Sequence, residues 1–482
     1  MLALLLASLC PSCIGVAVGT AIDTATDWVS YPVHEYVCQG AYKYDNPDGT
    51  HWRPLIDPTA RSHGEELVGM AVSGGGSRAA YFFATVMHEL SRVNARRRDG
   101  SCASTSLLDE IDYLSGASGG ALGAAYYVLE RPPGSDPREL DPFFHRFRSA
   151  MRTDFETETL VRTLLRFYWV PLLLTYYHRG HLMAGVFDER LFSGRTFADL
   201  PPPAAPYPEL LINATSYSSG QKFLFSRLPA AYVDHSILFA HLRALRLSYQ
   251  GYFEGHQPLS NRGFDTIDSD LALHRISLAV VASAAVPNLL GPMVLRDHTS
   301  DEEIYEVLGD GGIYDNYGLE TLLQVFAARM EADPGLPGRI LIVDGSGFFV
   351  EERERRRYTD AGYSDRTYSI GAQRTASYAE AVCEYMRTYV PPGFSESPYR
   401  NLRVEVISLY HAGQSLPDGL EDRRGVPSAE LAARNPDVVV RFLADFNREV
   451  RGIGTRFRLR AREAALVKAQ ARRVVRDVLA GG

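Results

Sequence analysis

The chain has 482 residues, of which 45% are hydrophobic and 22% charged, and this ordinary globular composition excludes a largely disordered, collagen-like or multi-span membrane protein. The formal net charge of −8 excludes a global basic field that would hold nucleic acid. The five cysteines are too few and too scattered to indicate a disulfide scaffold or a zinc site.

The first 22 residues carry no charged side chain. A leucine-rich apolar stretch at 1–9 is followed by small residues, as in a secretory signal that lacks the usual basic start. A helix of about 21 residues, roughly 31 Å long, also suffices for an uncleaved membrane anchor. Residues 1–22 are therefore predicted to be a signal peptide or anchor of an exported or membrane-associated protein. A buried N-terminal helix and a cytoplasmic location stay open as alternatives. Residues 23–65 are predicted to form an irregular lead-in.

Two strand–glycine–helix units follow the lead-in, and this alternation is typical of a parallel α/β sheet. The first strand is predicted at 66–73 and its helix at 78–96. The second strand is predicted at 111–115 and its helix at 121–129. Later apolar runs continue the sheet, at 210–215, 222–225, 304–308, 340–344 and 402–409.

Residues 140–200 lie between these strands and have a mostly helical pattern that is rich in aromatic side chains. We expect them to form a helical insertion or cap, which a proline-rich connector at 201–208 joins to the sheet. The cap contains an uncharged run at 167–177 with Arg162 and Arg166 before it. Aromatic residues with basic flanks are typical of a membrane-interface segment. This run is predicted either to pack as a buried helix or to dip into a lipid surface.

The end of the chain is predicted to be a helical extension over 421–482. Its last part, 447–480, holds ten Lys or Arg against three acids, and apolar residues recur there at helical spacing. We expect a basic-faced helix that packs on the sheet domain. The alternative is a helix that lies on a membrane surface.

The pattern Gly116-x-Ser118-x-Gly120 stands between a predicted strand and a predicted helix. A sharp turn with small neighbours lifts a serine Oγ out of the backbone and presents it to a carbonyl group. The helix that follows offers free N–H groups, which favour developing negative charge. Ser118 is therefore a candidate nucleophile, and the alternative is a glycine-rich turn with a purely structural role.

A second loop, Gly74-Gly75-Gly76, joins a strand to a helix. The phosphate-loop pattern is absent, and Ala79 replaces the third glycine of the dinucleotide-binding pattern. Glycines allow positive φ and close approach of a ligand, so their N–H groups can point at one oxyanion. We therefore predict that the N–H groups of this loop form an oxyanion hole and that Arg78 supports the loop.

Asp310 follows the predicted strand 304–308 and is flanked by Gly309, Gly311 and Gly312. A carboxylate in such an open turn can accept a proton from a neighbouring hydroxyl group. The alternative is an Asp-Gly turn that is stabilised by its own backbone.

Three motifs in this order resemble the patatin-like phospholipase family: Gly75-Gly76-Ser77-Arg78, Gly116-Ala117-Ser118-Gly119-Gly120 and Asp310-Gly311-Gly312. Three weaker stretches also look like that family, at 212–215, 282–287 and 454–457. The resemblance implies a three-layer α/β/α fold with the catalytic domain over 66–420.

The resemblance also implies site residues. Ser118 is the nucleophile and Asp310 the base, without a catalytic histidine. The N–H groups of Gly75, Gly76 and Gly119 are the oxyanion donors. The whole predicted oxyanion-hole set is Gly74, Gly75, Gly76, Arg78 and Gly119.

The implied activity is that of a lipid acyl hydrolase of the phospholipase A or lysophospholipase type, which acts at a membrane surface through an acyl-serine. No cofactor, metal or nucleic-acid partner is expected. One alternative is an α/β-hydrolase esterase that uses Ser118, Asp310 and His411, because this chain order also fits that fold. Another is a lipid-binding protein or acyltransferase on the same fold.

Two further signals are interpreted as structural. Asn213-Ala214-Thr215 is formally a glycosylation sequon, but the apolar run before it predicts a buried strand end. His178 and His181 lie three residues apart, without a carboxylate in the sequence pattern that would complete a metal site.

Overall fold

The computed structural model describes residues 44–46, 51–53, 55, 65–96, 102–165, 177–202, 206–233, 261–287, 289–347, 370, 377, 381–411, 416–417, 430 and 436–480. The predicted signal or anchor, most of the lead-in, and residues 167–176 of the uncharged run lie outside these ranges. Among the helices within them, none combines the length and the apolar character needed to cross a bilayer.

In the described residues, nine strands form one mixed sheet. Their order across the sheet is β11-β10-β1-β4-β5-β6-β7, and β9 pairs with both β5 and β8. The pairs from β11 to β5 along this order are parallel, whereas β6 and β9 run antiparallel to β5. The bounds are β1 Leu67–Val72, β4 Ile111–Ala117, β5 Glu209–Ser216, β6 Lys222–Phe225, β7 Arg262–Gly263, β8 Met293–Asp297, β9 Ile304–Gly309, β10 Gly338–Asp344 and β11 Leu402–Ser408.

Helices cover both faces of this sheet. Alternate residues of β1 bury their side chains on opposite faces: Val68 and Met70 join one apolar cluster, and Leu67 and Ala71 join the other. The helix bounds are α1 Gly76–Leu90, α2 Gly119–Glu130, α3 Pro137–Met151, α4 Phe155–Leu165, α5 Arg179–Phe187, α6 Ala230–Val233, α7 Ile276–Ser283, α8 Gly312–Asp315, α9 Leu319–Ala332, α10 Pro436–Arg451 and α11 Ala461–Ala480. Buried residues of α1 and α2 belong to the first cluster and those of α9 to the second, so the predicted three-layer α/β/α class is confirmed.

The helix predicted at 78–96 ends earlier than expected. It stops at Leu90, and residues 94–96 form β2, which pairs with β3 at Cys102–Ser106. The difference arises because Val93 accepts a hydrogen bond from the Leu107 N–H (2.7 Å), which draws the segment into a hairpin. Such a contact between two separate segments leaves no signal in helical periodicity.

The helical content predicted for 140–200 is confirmed in the described part of that range, where α3, α4 and α5 are followed by a π-helix at Asp188–Phe192. These helices contribute directly to the first apolar cluster. Phe147 of α3 is fully buried and stacks on Tyr126 of α2, with ring centroids 4.9 Å apart. The limits of an insertion and of the other domains stay predictions.

Over the described residues 436–480, the C-terminal stretch forms two helices, α10 and α11. Val467 and Val474 of α11 are fully buried in the first apolar cluster, and α11 packs against α1. The Gln470 side chain also donates to the carbonyl group of Leu409, beyond the end of β11 (3.0 Å). Of the two arrangements considered, the structure therefore has the helix packed on the sheet domain.

Candidate active site

Ser118 occupies the turn between β4 and α2. Its backbone has φ 51° and ψ −120°, a conformation that residues other than glycine rarely adopt. The N–H group of Ser118 donates to the Ser283 hydroxyl (2.8 Å), which helps to hold the turn in this conformation. The side chain is nearly enclosed, since Ser118 is only 4% exposed. This is the geometry of a nucleophile presented on a strand-to-helix turn.

The residue after Ser118 must be small because the turn packs directly against the glycine loop. A Cβ added to Gly119 would lie 2.6 Å from the backbone nitrogen of Gly76, which is closer than real Cβ contacts come. On the other side, a Cβ added to Gly74 would lie 3.3 Å from the Ser118 Cβ. The glycine loop and the Ser118 turn are therefore immediate neighbours, as an oxyanion hole beside a nucleophile requires.

The three glycines of the loop do not offer equivalent N–H groups. The Gly74 N–H donates to the Asn316 carbonyl (2.8 Å), so it is already used within the fold. Gly75 and Gly76 have positive φ values of 139° and 59°, which turn the backbone sharply between β1 and α1. Because the Gly74 N–H is engaged with Asn316, the remaining candidate oxyanion donors in this loop are the N–H groups of Gly75 and Gly76.

Arg78 lies beneath the glycine loop and is 1% exposed. Its Nε donates to the Gly345 carbonyl (3.0 Å) and its Nη2 to the Thr455 hydroxyl (3.0 Å), while Nη1 donates to the Ile453 carbonyl. With all three nitrogens engaged, the guanidinium ties the start of α1 to two distant loops. This geometry fits the predicted role of loop support, because the guanidinium is held by three hydrogen bonds to other parts of the fold.

A segment at 453–457, near the C-terminal end, runs beside the glycine loop. The sequence predicted no role for this segment and showed only a weak resemblance to the family over 454–457. The Ser77 N–H donates to the Arg456 carbonyl (2.7 Å), and the Phe155 N–H donates to the Phe457 carbonyl (3.0 Å). The segment therefore links the glycine loop to the start of α4. Its contribution is made by backbone groups, which leave little trace in a single sequence.

Asp310 lies between β9 and α8 and is fully buried. Its Oδ1 accepts a hydrogen bond from the Gly312 N–H (2.7 Å), which fixes the orientation of the carboxyl group. Its backbone is held as well, because its N–H donates to the Ala285 carbonyl (3.1 Å) and its carbonyl accepts from the Thr215 hydroxyl (2.8 Å).

Ser283 connects the Ser118 turn to the Asp310 turn. Its hydroxyl accepts from the Ser118 N–H and donates to the Asn213 carbonyl (2.5 Å), while its own carbonyl accepts from the Gly311 N–H (3.0 Å). The two candidate residues are thus fixed to one rigid group of hydrogen bonds. Sequence reasoning noted the stretches that contain Asn213 and Ser283 but assigned neither residue to this support.

The Asn213 side chain completes the same framework. Its Nδ2 donates to the Ser115 hydroxyl (2.9 Å) and to the Gly116 carbonyl (3.0 Å), and its Oδ1 accepts from the Thr321 hydroxyl (2.5 Å). Asn213 is 1% exposed, so its amide is committed to the fold and not available to a glycan. This burial supports the structural interpretation of the sequon.

Tyr217 is a site neighbour that the sequence did not suggest. Its ring lies against Gly309, where an added Cβ would be 2.6 Å from the phenol oxygen, and 47% of the residue is exposed. Burial of the ring and the charge of Asp310 both raise the pKa of the Tyr217 hydroxyl. Its phenol therefore stays neutral at physiological pH beside the Asp310 turn.

His411 lies at a different part of the sheet edge. The order β4-β1-β10-β11 separates its strand from the Ser118 strand by three strand spacings, or about 14 Å. Its side chain is exposed, and its carbonyl accepts from the Gln470 amide (2.9 Å). The Asp310 strand instead pairs with β5, the immediate neighbour of β4. The strand order thus favours a Ser118–Asp310 pair over a triad that includes His411.

We expect His411→Ala to leave kcat for ester hydrolysis within a few-fold of wild type, because the imidazole lies too far from Ser118 to accept its proton directly. Steady-state kinetics with a soluble ester, alongside a melting curve, measure this. A loss as large as that of Ser118→Ala, with an unchanged melting temperature, would instead establish the three-residue mechanism.

His181 of α5 contacts a carboxylate that the sequence pattern did not reveal. His181 Nε2 lies 2.7 Å from the Asp45 Oδ1, and the His178 Nδ1 accepts from the Gly180 N–H (3.0 Å). Asp45 comes from the lead-in and also accepts from the Val294 N–H (3.0 Å), so the pair fastens the lead-in to β8. Among the described residues, no group of three or more His, Cys, Asp or Glu side chains has a geometry that could hold a metal ion.

Comparison with known proteins gives a family match. The family model described as patatin-like phospholipase matches residues 70–323, more than half of the 482-residue chain. A search of curated proteins finds no match.

Among solved structures, the chain is similar to human GIVD cytosolic phospholipase A2, with 13% identity and a TM-score of 0.43 over 98% of this chain and 64% of that one. Two structures of the human protein with methyl gamma-linolenyl fluorophosphonate also match. One has 14% identity, a TM-score of 0.43 and coverage of 98% and 63%. The other, which also contains terbium chloride, has 12% identity, a TM-score of 0.43 and coverage of 97% and 62%. The chain thus spans less than two thirds of these matched structures.

Proposed function

The chain belongs to the patatin-like phospholipase family, as its motifs predicted, and from this premise we propose that it is a lipid acyl hydrolase that uses Ser118 and Asp310. The observation that carries the proposal is the common support of these two residues. The Ser283 hydroxyl holds the Ser118 N–H, and the Ser283 carbonyl holds the Gly311 N–H next to Asp310. A nucleophile and a base that act together need such fixed relative positions.

In the acylation step, the Asp310 carboxylate accepts the hydroxyl proton of Ser118 while Oγ attacks the acyl carbonyl carbon of a lipid ester. The negative charge that forms on the carbonyl oxygen is stabilised by the N–H groups of Gly75, Gly76 and Gly119. The N-terminal end of α2 adds a favourable dipole at the same place. The close packing of Gly119 on the Gly76 backbone supports this arrangement of donors.

Collapse of the tetrahedral intermediate breaks the ester C–O bond, and protonated Asp310 gives its proton to the leaving alcohol. The acyl group is then bound to Ser118. In deacylation, a water molecule gives a proton to Asp310 and attacks the acyl carbonyl carbon. The second intermediate releases the fatty acid, and the proton on Asp310 returns to the Ser118 oxygen. Both half-reactions use the same carboxylate and the same oxyanion donors.

We propose phospholipid or lysophospholipid esters as the substrate class, met at a membrane surface. The family description supports a lipid substrate. The uncharged aromatic run at 167–177 and the predicted N-terminal signal or anchor would bring the enzyme to such a surface. Both segments belong to the sequence predictions, and the interfacial role rests on their composition.

A fluorophosphonate probe with a reporter group tests the proposal directly, because it phosphonylates an activated serine. We expect stoichiometric labelling of Ser118, located by peptide mass spectrometry, and no labelling of Ser118→Ala. Ser218→Ala, which removes an exposed serine from the β5–β6 turn, serves as the matched control and should label like wild type. A folded wild-type protein that stays unlabelled would support the lipid-binding alternative instead.

Product analysis identifies the reaction that accompanies this labelling. Wild-type protein mixed with a total lipid extract should release free fatty acid and a matching lyso-product, whereas Ser118→Ala should release neither. If acyl chains move to another alcohol without appearing as free acid, the protein is an acyltransferase and the hydrolytic step is wrong.

A further inference from the structure

Five polar side chains from three helices form a cationic cluster on the α1 side of the sheet, apart from the Ser118 turn. The cluster consists of Tyr81 of α1, Arg148 of α3, Arg152 directly after α3, and Lys468 and Arg472 of α11. Arg148 and Arg152 are four residues apart, as are Lys468 and Arg472, so each pair lies on one helix face. The helix α1 packs against both α3 and α11, and Arg148 and Arg472 contact the neighbouring α1 residues His88 and Glu89.

Contacts with the last turn of α1 fix two of the cluster's cations. Arg148 Nη1 donates to the His88 Nδ1 (2.8 Å), and Arg472 Nε donates to the Glu89 Oε1 (3.1 Å). Because a guanidinium can only donate, the His88 Nδ1 presents its lone pair to Arg148, and the proton is assigned to Nε2, which lies 2.7 Å from the Asp141 Oδ1. Burial lowers the pKa of His88, in agreement with a neutral ring. The Arg148 Nη1 therefore donates to a neutral ring and not to a carboxylate.

The charges within the cluster are not balanced by carboxylates. In the described part of the chain, Arg152 and Lys468 have no ion pair, and Glu89 is the carboxylate that contacts Arg472. Arg148 is largely buried, and Tyr81 is only 5% exposed, with no hydrogen bond to its hydroxyl among the described residues. Arg92, just after the end of α1, contacts both Glu89 (3.8 Å) and Asp141 (3.1 Å) at the same end of the helix, so five cations and a phenol donor share one region with two carboxylates.

The electrostatic effects agree with this unbalanced charge. Burial, together with the charges of Arg472 and Arg148, lowers the pKa of Lys468. Burial is also the main reason that the pKa of Arg148 is lowered. Both effects oppose the protonated forms, and a bound anion would relieve them. The directions of these pKa shifts thus agree with an excess of positive charge in the cluster.

We propose that this cluster binds a phosphate group of a ligand that is distinct from the lipid ester under hydrolysis. Arginine and lysine donors with a tyrosine hydroxyl match the many acceptor oxygens and the double charge of a phosphomonoester. Glu89, which holds Arg472, lies 13 residues along α1 from Gly76, or about 20 Å. In a phospholipid the phosphate is separated from the ester group only by the glycerol carbons. One lipid therefore does not place its ester at Ser118 and its phosphate against Arg472 at this end of α1, whereas Tyr81, five residues from Gly76, lies nearer to the Ser118 turn.

The same phosphate chemistry can come from a soluble ligand or from a lipid headgroup, so the experiment has two arms. Calorimetric titration with inositol hexakisphosphate tests the soluble source. Sedimentation with phosphatidylcholine vesicles, with and without phosphatidic acid, tests the headgroup source. The full-length protein is used in both arms, and a rise in melting temperature with inositol hexakisphosphate gives a second readout of binding.

The test variant is Arg152→Gln/Lys468→Gln, which removes the two cations without ion pairs. Its matched control is Arg441→Gln/Arg460→Gln, which removes the same charge from exposed positions of α10 and the residue before α11. We expect the test variant to bind at least about tenfold more weakly in the arm that shows binding, since each lost charge-assisted hydrogen bond is worth roughly a tenfold factor or more. The control should bind like wild type.

Tyr81→Phe gives an independent check, because it removes one donor without changing charge or volume greatly, and we expect a smaller but measurable loss of affinity. Ser118→Ala should bind the phosphate ligand with unchanged affinity, so this test does not depend on the proposed hydrolytic activity. Absence of binding in both arms would overturn the proposal. Equal weakening of the test and control variants would overturn it too, because it would show attraction to overall charge alone.

Discussion

Asp310→Asn is expected to lower kcat for lipid-ester hydrolysis by about 10²–10⁴-fold while the melting temperature stays close to that of wild type. The amide oxygen of asparagine can still accept the hydrogen bond from the Gly312 N–H, which measures 2.7 Å in the native structure. The variant therefore keeps the turn and removes the base. Kinetics with a soluble short-chain ester, which does not need a lipid surface, measure the change.

This substitution also separates the two interpretations of Asp310. A hydrogen bond from the residue two positions later is what a purely structural Asp-Gly turn makes as well. If the carboxylate had only that role, Asp310→Asn would retain near-normal kcat, and the dyad would be refuted. If Asp310 is the base, the double variant with Ser118→Ala should be little slower than Ser118→Ala alone, because two residues that act as one unit are not additive.

Gly119→Ala is expected to lower kcat by about 10²–10³-fold, the cost of losing one oxyanion donor. The added Cβ would lie 2.6 Å from the Gly76 nitrogen, so the backbones of the Ser118 turn and the glycine loop must separate. A shift of either the Ser118 turn or the glycine loop displaces an N–H group that we propose as a donor to the oxyanion. Overpacking of this kind also destabilises a fold, by about 1–3 kcal/mol.

The matched control for this variant is Gly185→Ala within α5. A Cβ at Gly185 meets no atom within 4 Å, so the same chemical change has room there. We expect unchanged kcat and a higher melting temperature, since alanine favours a helix interior by about 1 kcal/mol over glycine. Binding of a trifluoromethyl ketone, which forms an oxyanion adduct with a serine, should weaken in parallel with kcat for Gly119→Ala only. Normal kcat in Gly119→Ala would show that Gly76 and Gly119 do not supply the oxyanion donors.

Sequence alone placed most of the sheet correctly, because the positions of strands depend on near neighbours in the chain. The strand at 222–225 was predicted at its observed bounds, and the strand at 304–308 is one residue longer in the structure. The strand Met293–Asp297 was missed, since alternate residues in it are only half-buried and two of its five residues are charged. Strand–glycine–helix turns at Gly74–Gly76 and Gly116–Gly120 were recognised because glycine's freedom of φ is a local property.

The identity of the supporting groups could not be read from the sequence. The Arg78 guanidinium binds a carbonyl 375 residues away, at Ile453, and Ser118 is held by Ser283. In the sequence, nothing distinguishes the Gly74 N–H from those of Gly75 and Gly76, but in the structure it donates to the Asn316 carbonyl. Each of these partners is an ordinary backbone group or small polar side chain, so nothing in its own neighbourhood marks it. Their meeting is a consequence of strand order.

The sequence by itself identified the candidate site residues: a serine on a glycine-flanked turn, a glycine loop and an aspartate at a strand end. Local backbone sterics and residue type suffice for this, because a sharp turn needs small neighbours wherever it lies in the fold. Only the tertiary structure showed how the strands before Asp310 and His411 lie relative to the Ser118 strand. Both follow a strand, but β9 pairs with β5 beside the Ser118 strand, whereas β11 is the third strand away on the other side. Pairing between distant strands depends on the packing of the whole sheet, and a single sequence does not encode that order in any local pattern.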